Sequence, residues 1–380
     1  MVGGGPAALA AAIGYRAAGG DGPVHLLSAD TDPPYNRPPL SKAYLRGVAG
    51  DDELALLESR EYIARGIRLA LGEPVVALDL VARTVTTASG VDLAYGSLVL
   101  ATGGEPSTLP VPGGDDPRVL RLRSLRQART LRAAAEDASS AVVVGSGFIG
   151  CEAAASLAAR GLQVTQVSVE RLPQAQRLGE KVGERLAGWL REAGVSLVGG
   201  AEVSAVDEGR TVHLDGHDPI TADLVLSAVG VKPQSQLAES AGLEVRDGRI
   251  VVDGDMRTAV PGVFAAGDVA LAHNPVAGRH LVVEHWGEAD AMGTVAGTGA
   301  AGGAASWDAV PGFWSDIGER TLKYAAWGDG YDTARLVDHD DGAFTVWYGR
   351  GGVTVGVLTH RSDDDYERGG ELVAQGAALP

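Results

Sequence analysis

The stretch Ala141 to Ala155, AVVVGSGFIGCEAAA, constrains the fold of this chain more than any other. Four apolar residues run straight into Gly145, Gly147 and Gly150, and an alanine-rich segment of helical character follows. Strand, tight turn and helix in this order form the glycine turn that holds a dinucleotide pyrophosphate. The first glycine permits the turn, the second lets backbone N–H groups approach the phosphates, and the third lets the helix pack on the strand. Glu152 reads as part of the helix's first turn. A carboxylate there favours the helix locally and stands where the reactive end of a cofactor would be met.

A second copy opens the chain. In MVGGGPAALAAAIGYR the residues Gly3, Gly5 and Ala8 repeat the pattern, with alanine at the third position, and the segment after them reads as a helix. The apolar run Val24 to Leu27 ends near Asp30, about where an acid takes up a ribose hydroxyl pair. Only Met1 and Val2 precede the glycines, whereas such a strand normally has about five or six residues. Two expectations stand side by side: an upstream start lost from the sequence, or a weakened first nucleotide site.

Two glycine turns in 380 residues call for an α/β chain with two Rossmann-like nucleotide-binding domains. The formal charge of −17 argues against nucleic-acid binding, and no apolar run approaches the length of a membrane span. Cys151 is the only cysteine, which excludes a disulfide framework or a catalytic dithiol and fits a reducing cytoplasm. None of the eight histidines has metal-ligand spacing, so no metal is expected.

Between the two turns, Asp32 to Tyr44 (DPPYNRPPLSKAY) carries four prolines, which predict an extended, rigid connection placing Arg37 and Lys42. Arg37 offers a fork of donors suited to a pyrophosphate, and Lys42 is a compact charge able to pair with a carboxylate. Glu58 to Gly72 reads as helix, and Val75–Leu80 with Thr84–Thr87 as a small antiparallel insertion. LVLATG at 98–103 reads as a buried strand ending in a turn, and the run from Pro106 to Pro117 as a linker. Arg118 to Glu136 has helical spacing. Beyond the central glycine turn, Val164–Val169 reads as the next strand, with Ser168 where an acid is usual and Glu170, Arg171 and Arg177 close behind. Both NAD and NADP remain open, with a slight lean to NADPH. Lys181 to Glu192 reads as an amphipathic helix, and LVLSAVG at 224–230 echoes LVLATG. Asp268, after the short strand Val263–Ala266, is positioned either to bind a polyol chain or to cap a following helix. Past Ala305, aromatics and alternating runs predict a small α+β module.

Taken together, the two fingerprints, PPYNRPPLSK, the two TG or VG strand ends, VPGVFAAGD, EHW and FWSD occur in an order that resembles the FAD-dependent NAD(P)H ferredoxin reductases. These putidaredoxin- and rubredoxin-reductase-like proteins belong to the pyridine nucleotide-disulfide oxidoreductase superfamily but lack its redox disulfide, and they serve oxygenases and cytochromes P-450. The resemblance implies an FAD domain in two segments (1–116 and 239–305), an NAD(P)H domain (117–238) and a C-terminal reductase domain (306–380). It implies hydride transfer from NAD(P)H and delivery of electrons to a ferredoxin-type iron–sulfur partner, by a monomer or homodimer.

By the same resemblance, Gly3, Gly5, Pro6, Ala7 and Ala8 match the FAD pyrophosphate turn, Asp30 the ribose acid, and Arg37 and Arg123 residues near the FAD phosphates. Lys42 matches the lysine near the flavin N5 and Glu152 its carboxylate partner. Gly267 and Asp268 match the ribityl and pyrophosphate segment, and Glu284, His285 and Trp286 the segment beside the isoalloxazine ring. Lys42, Glu152 and Trp286 are thereby the expected catalytic residues. Gly145, Gly147, Phe148, Ile149 and Gly150 of the central turn, with Val76, Ala101, Thr102, Gly103, Glu170 and Gly230, complete the expected cofactor-binding residues. Disulfide reductases share this architecture but need a cysteine pair where this chain has Lys42. Other acceptors (a quinone, a nitrite-reductase module, oxygen) and a redox-responsive regulatory flavoprotein are the alternatives.

Overall fold

The computed structural model describes residues Met1–Pro380. Its centre is a parallel sheet in the spatial order Val195–Gly199, Gln163–Ser168, Ser140–Val144, Leu224–Ser227, Val119–Leu120. Val142, Val143 and Leu226 are fully enclosed, as expected of strands covered on both faces. A three-stranded antiparallel sheet (Val203–Asp207, Thr211–Leu214, His217–Thr221) precedes the fourth of these strands.

The first 100 residues repeat this plan. Ile67–Leu71 pairs in parallel with Val24–Ser28, and Leu98–Leu100 with Val263–Ala265. The central lane between the two pairs is filled by Met1 and Val2. Val2 N donates to Val99 O (2.9 Å), Ala101 N to Val2 O (2.8 Å) and Leu27 N to Met1 O (2.9 Å), so Val2 bridges Leu27 and Leu100. A short first strand is therefore compatible with a joined sheet. Val75–Asp79, Thr84–Thr87 and Asp92–Ala94 form the matching antiparallel insertion. The chain leaves the two units through one ribbon, Gly104–Pro106 against Val231–Pro233.

A four-stranded sheet (Val245–Arg246, Arg249–Val252, Ala270–Asn274, Arg279–Val282) leads into helix Trp286–Ala300. That helix lies backbone to backbone on helix Pro6–Ala17. A Cβ added at Gly293 would fall 2.3 Å from Ala7 O, and one at Gly297 2.0 Å from Ala11 O, so only glycine permits this approach. The remaining chain is a five-stranded antiparallel sheet closed by helix Asp363–Gln375. Its inner face (Phe344, Val346, Leu358) packs on helix Glu180–Glu192, whose Val182, Leu186 and Leu190 recur at i, i+4, i+8. Each buried leucine contributes about 1.5–3 kcal/mol.

Several expectations need correction. Glu58–Gly72 is not one helix: the helix spans Ser59–Ala64 only, and Ile67–Leu71 is a strand. Gly66 takes φ +61°, which ends the helix, while Arg16 Nε binds Arg65 O at 2.7 Å and pins the corner. The proline segment is extended only to Arg37, after which Pro38–Ser41 forms a 3₁₀ turn and Ala43–Arg46 a helical turn. Proline at a first helical position suits that geometry. The helix read over Arg118–Glu136 begins at Leu125, because Val119–Leu120 joins the sheet and Ser124 with Gln127 forms a capping box. Helix Phe148–Ala159 has no acid in its first turn, which places Glu152 in the second. Strand Ala270–Asn274, and no helix, follows Asp268, which removes its capping role.

Candidate active site

Both glycine turns end in helices with bare N-termini. Gly5 precedes helix Pro6–Ala17 and Gly147 precedes Phe148–Ala159, and neither helix has a side-chain cap. Their first N–H groups are free to meet an anion, with the positive end of each helix dipole behind them. Gly3 (φ +131°) and Gly145 (φ +111°) make the tight turns; a Cβ would fall 2.1 Å from Ala101 O and 2.3 Å from Ala228 O. A Cβ at Gly150 would lie 2.3 Å from Gly145 O, so this glycine seats the helix on its strand. Gln166 Nε2 donates to Gly145 O and Gln174 Nε2 to Ser146 O, both at 3.0 Å, which locks the central turn.

Over the first turn, Arg37 Nη2 lies 3.6 Å from where a Gly5 Cβ would be. Arg37 Nη1 donates to Arg123 O at 3.4 Å, and Arg123 pairs with the buried Asp268. The Nε atoms of both arginines are buried without a partner, the donor set that a pyrophosphate requires. Burial lowers the Arg37 pKa from its ordinary value. Gly267 (φ +77°) packs on Ala7. Asp30 accepts from the Tyr35 hydroxyl at 3.0 Å, and that hydroxyl accepts from Leu125 N at 2.9 Å. Val76 stands 58% exposed on the antiparallel insertion. Thr102 donates to Gln234 O at 2.6 Å, and Gly103 and Gly230 take positive φ at the two strand ends.

Between the two turns Lys42 Nζ lies 2.8 Å from Glu152 Oε2, with 11% and 3% of the side chains exposed. Glu152 also accepts from Ser41 Oγ at 2.5 Å and, through Oε1, from Ser315 Oγ at 2.6 Å. Lys42 Nζ donates further to Pro38 O at 3.2 Å. One carboxylate thus gathers the 3₁₀ turn, the dinucleotide helix and the edge strand Gly312–Ile317. Ser156 Oγ, one turn along the helix from Glu152, holds Ser41 O at 2.7 Å and fixes the turn that carries Lys42.

An aromatic wall flanks this pair. Phe148 meets Phe313 edge-on (4.8 Å between centroids), and Phe313 meets His285 at 4.5 Å. His285 is pushed down to about 4 by burial, with Arg177 adding to the shift. His285 Nδ1 and Trp286 Nε1 are buried polar atoms with no partner. Glu284 is exposed and bound to Arg249 at 2.5 Å, and Ile149 is 45% exposed beside the central turn. Cys151 is fully buried, its thiol raised to about 12 by burial, so it offers no redox chemistry.

At the end of strand Gln163–Ser168, Ser168 Oγ donates to Glu170 O at 2.8 Å, and Arg171 is bound by Glu180 at 2.8 Å. Ser41, Ser315, Tyr35, Phe313, Gln166 and Gln174 are site residues that spacing does not single out. Ser41 and Ser315 do lie inside the quoted PPLSK and FWSD segments, and strand alternation is the one signal that turns Ser315 inward.

The sequence pattern of the family described as pyridine nucleotide-disulphide oxidoreductase matches residues 1–293. The chain is 33% identical over 382 residues to rhodocoxin reductase of Rhodococcus erythropolis, covering 98% of this chain and 88% of that one. It is 34% identical over 357 residues to the ferredoxin–NAD(+) reductase component of the anthranilate 1,2-dioxygenase system of Burkholderia cepacia, covering 93% and 87%. The crystal structure of the covalent putidaredoxin reductase–putidaredoxin complex superposes with a TM-score of 0.93 at 30% identity, over 98% of this chain and 92% of that one.

Proposed function

Because the chain belongs to the pyridine nucleotide-disulphide oxidoreductase family, we propose that it is an FAD-dependent NAD(P)H:ferredoxin oxidoreductase serving an oxygenase or cytochrome P-450. The observation that carries this reading is the buried Lys42–Glu152 pair, lying between two uncapped glycine-turn helices where a disulfide reductase has its cysteines. FAD, when bound, supplies the conversion of a two-electron hydride donor into single electrons for an iron–sulfur partner.

The roles of the chain's own residues follow from the geometry. The Gly5 turn, Arg37 and Arg123 offer N–H donors to the FAD phosphates, and Asp268 orients Arg123. Asp30, steered by Tyr35, is offered to a ribose. Lys42 holds a positive charge in a water-poor site, which favours negative charge developing beside it. Glu152 fixes Lys42 and, with Phe148 and Phe313, shapes the face open to a nicotinamide. His285, uncharged at neutral pH, continues that wall from Phe313, with Trp286 next along the chain, and adds no competing cation. We assign the FAD unit to 1–116 and 239–305, the NAD(P)H unit to 117–238 and the C-terminal module to 306–380. No helix is long and apolar enough to cross a membrane, and the lone buried thiol fits a reducing, cytoplasmic setting.

The test is an anaerobic titration of the FAD-loaded protein with NADH and, separately, NADPH, followed by an added [2Fe–2S] ferredoxin. Bleaching of the flavin band and its recovery on addition of the ferredoxin are expected. A protein that takes up no FAD, or a flavin that neither nucleotide bleaches, overturns the assignment.

A further inference from the structure

Away from the redox pair, a surface cleft of about 750 Å³ opens where Arg46 and Gly47 meet the ends of helices Leu125–Asp137 and Phe148–Ala159. Arg46, Arg132 and Arg160 line it, and Ser139 and Gln163 add a hydroxyl and an amide. All three arginines are half-buried. No carboxylate pairs with any of them, although the chain carries 49 acidic residues against 32 basic ones. Arg129, one turn before Arg132, shows the usual outcome in such a chain, bound by both Asp32 and Asp51.

Two of these guanidiniums are fixed in place by the segment that follows Lys42. Arg132 Nη1 donates to Ala49 O at 3.0 Å and lies over the Tyr44 ring at 5.0 Å, while Arg160 Nη1 donates to Leu45 O at 3.1 Å. Both converge on Gly47, whose Cβ would fall 3.1 Å from Arg160 Nη1 and 3.9 Å from Arg132 Nη2. Each uses one nitrogen on a carbonyl and keeps other N–H donors for the cleft. The two long helix C-termini bring about half a negative charge each. Glu136 brings one more, exposed at the rim. Three full positive charges exceed these, and forked donors held this way match oxyanions with several oxygens.

We propose that this cleft is a binding site for a small polyanion of the phosphate type, held by Arg46, Arg132 and Arg160. The cleft is open to solvent and mostly polar in its lining, which suits a small charged molecule held from one side. Its lining comes from the loop after the Lys42 turn and from the two helices flanking the central sheet. The occupant therefore ties both nucleotide-binding units together. Arg160 is eight residues along the helix from Glu152, a distance of about 12 Å at 1.5 Å per residue. The inference is independent of the redox reading, because it requires neither electron transfer nor a particular acceptor.

Isothermal titration of inorganic pyrophosphate into the FAD-loaded protein, saturated with oxidised nicotinamide nucleotide and held at constant ionic strength, tests it. One site is expected, weakened about tenfold or more by Arg132→Gln or Arg160→Gln and less by Arg132→Lys, which keeps the charge but loses the fork. Citrate in a parallel titration separates a phosphate preference from general polycarboxylate binding; equal or tighter citrate binding overturns the phosphate assignment. No heat with either anion, or the same heat in the Arg132→Gln/Arg160→Gln protein, overturns the site. So does a melting temperature that falls in that protein while pyrophosphate still binds, since the arginines would then only hold the loop. Binding of an acidic protein with none of small anions also refutes the proposal.

Discussion

Glu152→Ala is the most informative perturbation of the redox site. It removes the only carboxylate within reach of Lys42 and strands two serine hydroxyls in a region where Glu152 is 3% exposed. Breaking a buried ion pair on one side costs about 3–5 kcal/mol, because the remaining charge stays desolvated. Pro38 O still accepts from the ammonium, which lowers the cost, and the two serines add about 1–3 kcal/mol if water does not reach them. The expected loss is therefore about 3–5 kcal/mol, with Glu152→Gln about 1 kcal/mol milder because its amide oxygen still accepts from one serine. Urea unfolding followed by tryptophan fluorescence measures it, with Lys42→Met/Glu152→Met as comparator. If the cost is that of a stranded charge, the apolar double variant recovers most of it. A loss under about 1 kcal/mol, or a double variant no better than Glu152→Ala, refutes the reasoning.

Four further outcomes are expected. Lys42→Ala slows flavin reduction by NAD(P)H in stopped-flow more than it weakens FAD retention; unchanged traces remove Lys42 from the chemistry. Gly147→Val abolishes nicotinamide binding but leaves a yellow protein, since its Cβ, 3.9 Å from Gln174 Nε2, crowds the backbone approach at the bare helix N-terminus, and loss of colour would reverse the two nucleotide assignments. His285 takes a proton at about 4 when folded and near 6.5 when unfolded. The unfolded chain therefore binds more protons between these values, and about 3 kcal/mol of stability present above pH 6.5 is lost as pH falls to 4, a slope that unfolding of His285→Gln should lack. Glu180→Ala frees Arg171 and raises the preference for NADPH over NADH several-fold in KM ratio; an unchanged ratio excludes Arg171 from phosphate recognition.

Much of this was legible from residue order. The two glycine turns, the antiparallel insertion that opens with Val75–Leu80 and the paired LVLATG and LVLSAVG strands are local patterns, so spacing finds them without tertiary information. Lys42 and Glu152 were paired through resemblance, and the structure places them 2.8 Å apart. The failures are those of long-range context. Residues 58–72 carry helical composition, yet Gly66 and the grip of Arg16 on Arg65 O end the helix so that Ile67–Leu71 can extend the sheet. Ser315 is 163 residues from Glu152, and Arg132 and Arg160 meet only because three segments end at one cleft. Such convergence has no one-dimensional signature.

The glycine contacts between helices Pro6–Ala17 and Trp286–Ala300 also bear on the order in which this protein is assembled. Gly14 packs on Thr294 across about 280 residues of chain, and the contact is backbone to backbone. During vectorial synthesis the inserted unit with strands Ser140–Val144 and Leu224–Ser227 has all its parts long before residue 300 emerges. The alanine-rich opening helix must wait for its partner. Contacts this distant in sequence form late and slowly, leaving an apolar surface exposed on a half-made sheet. The nascent chain is thus most vulnerable to aggregation and proteolysis in its first segment, and emergence of helix Trp286–Ala300 is what closes it.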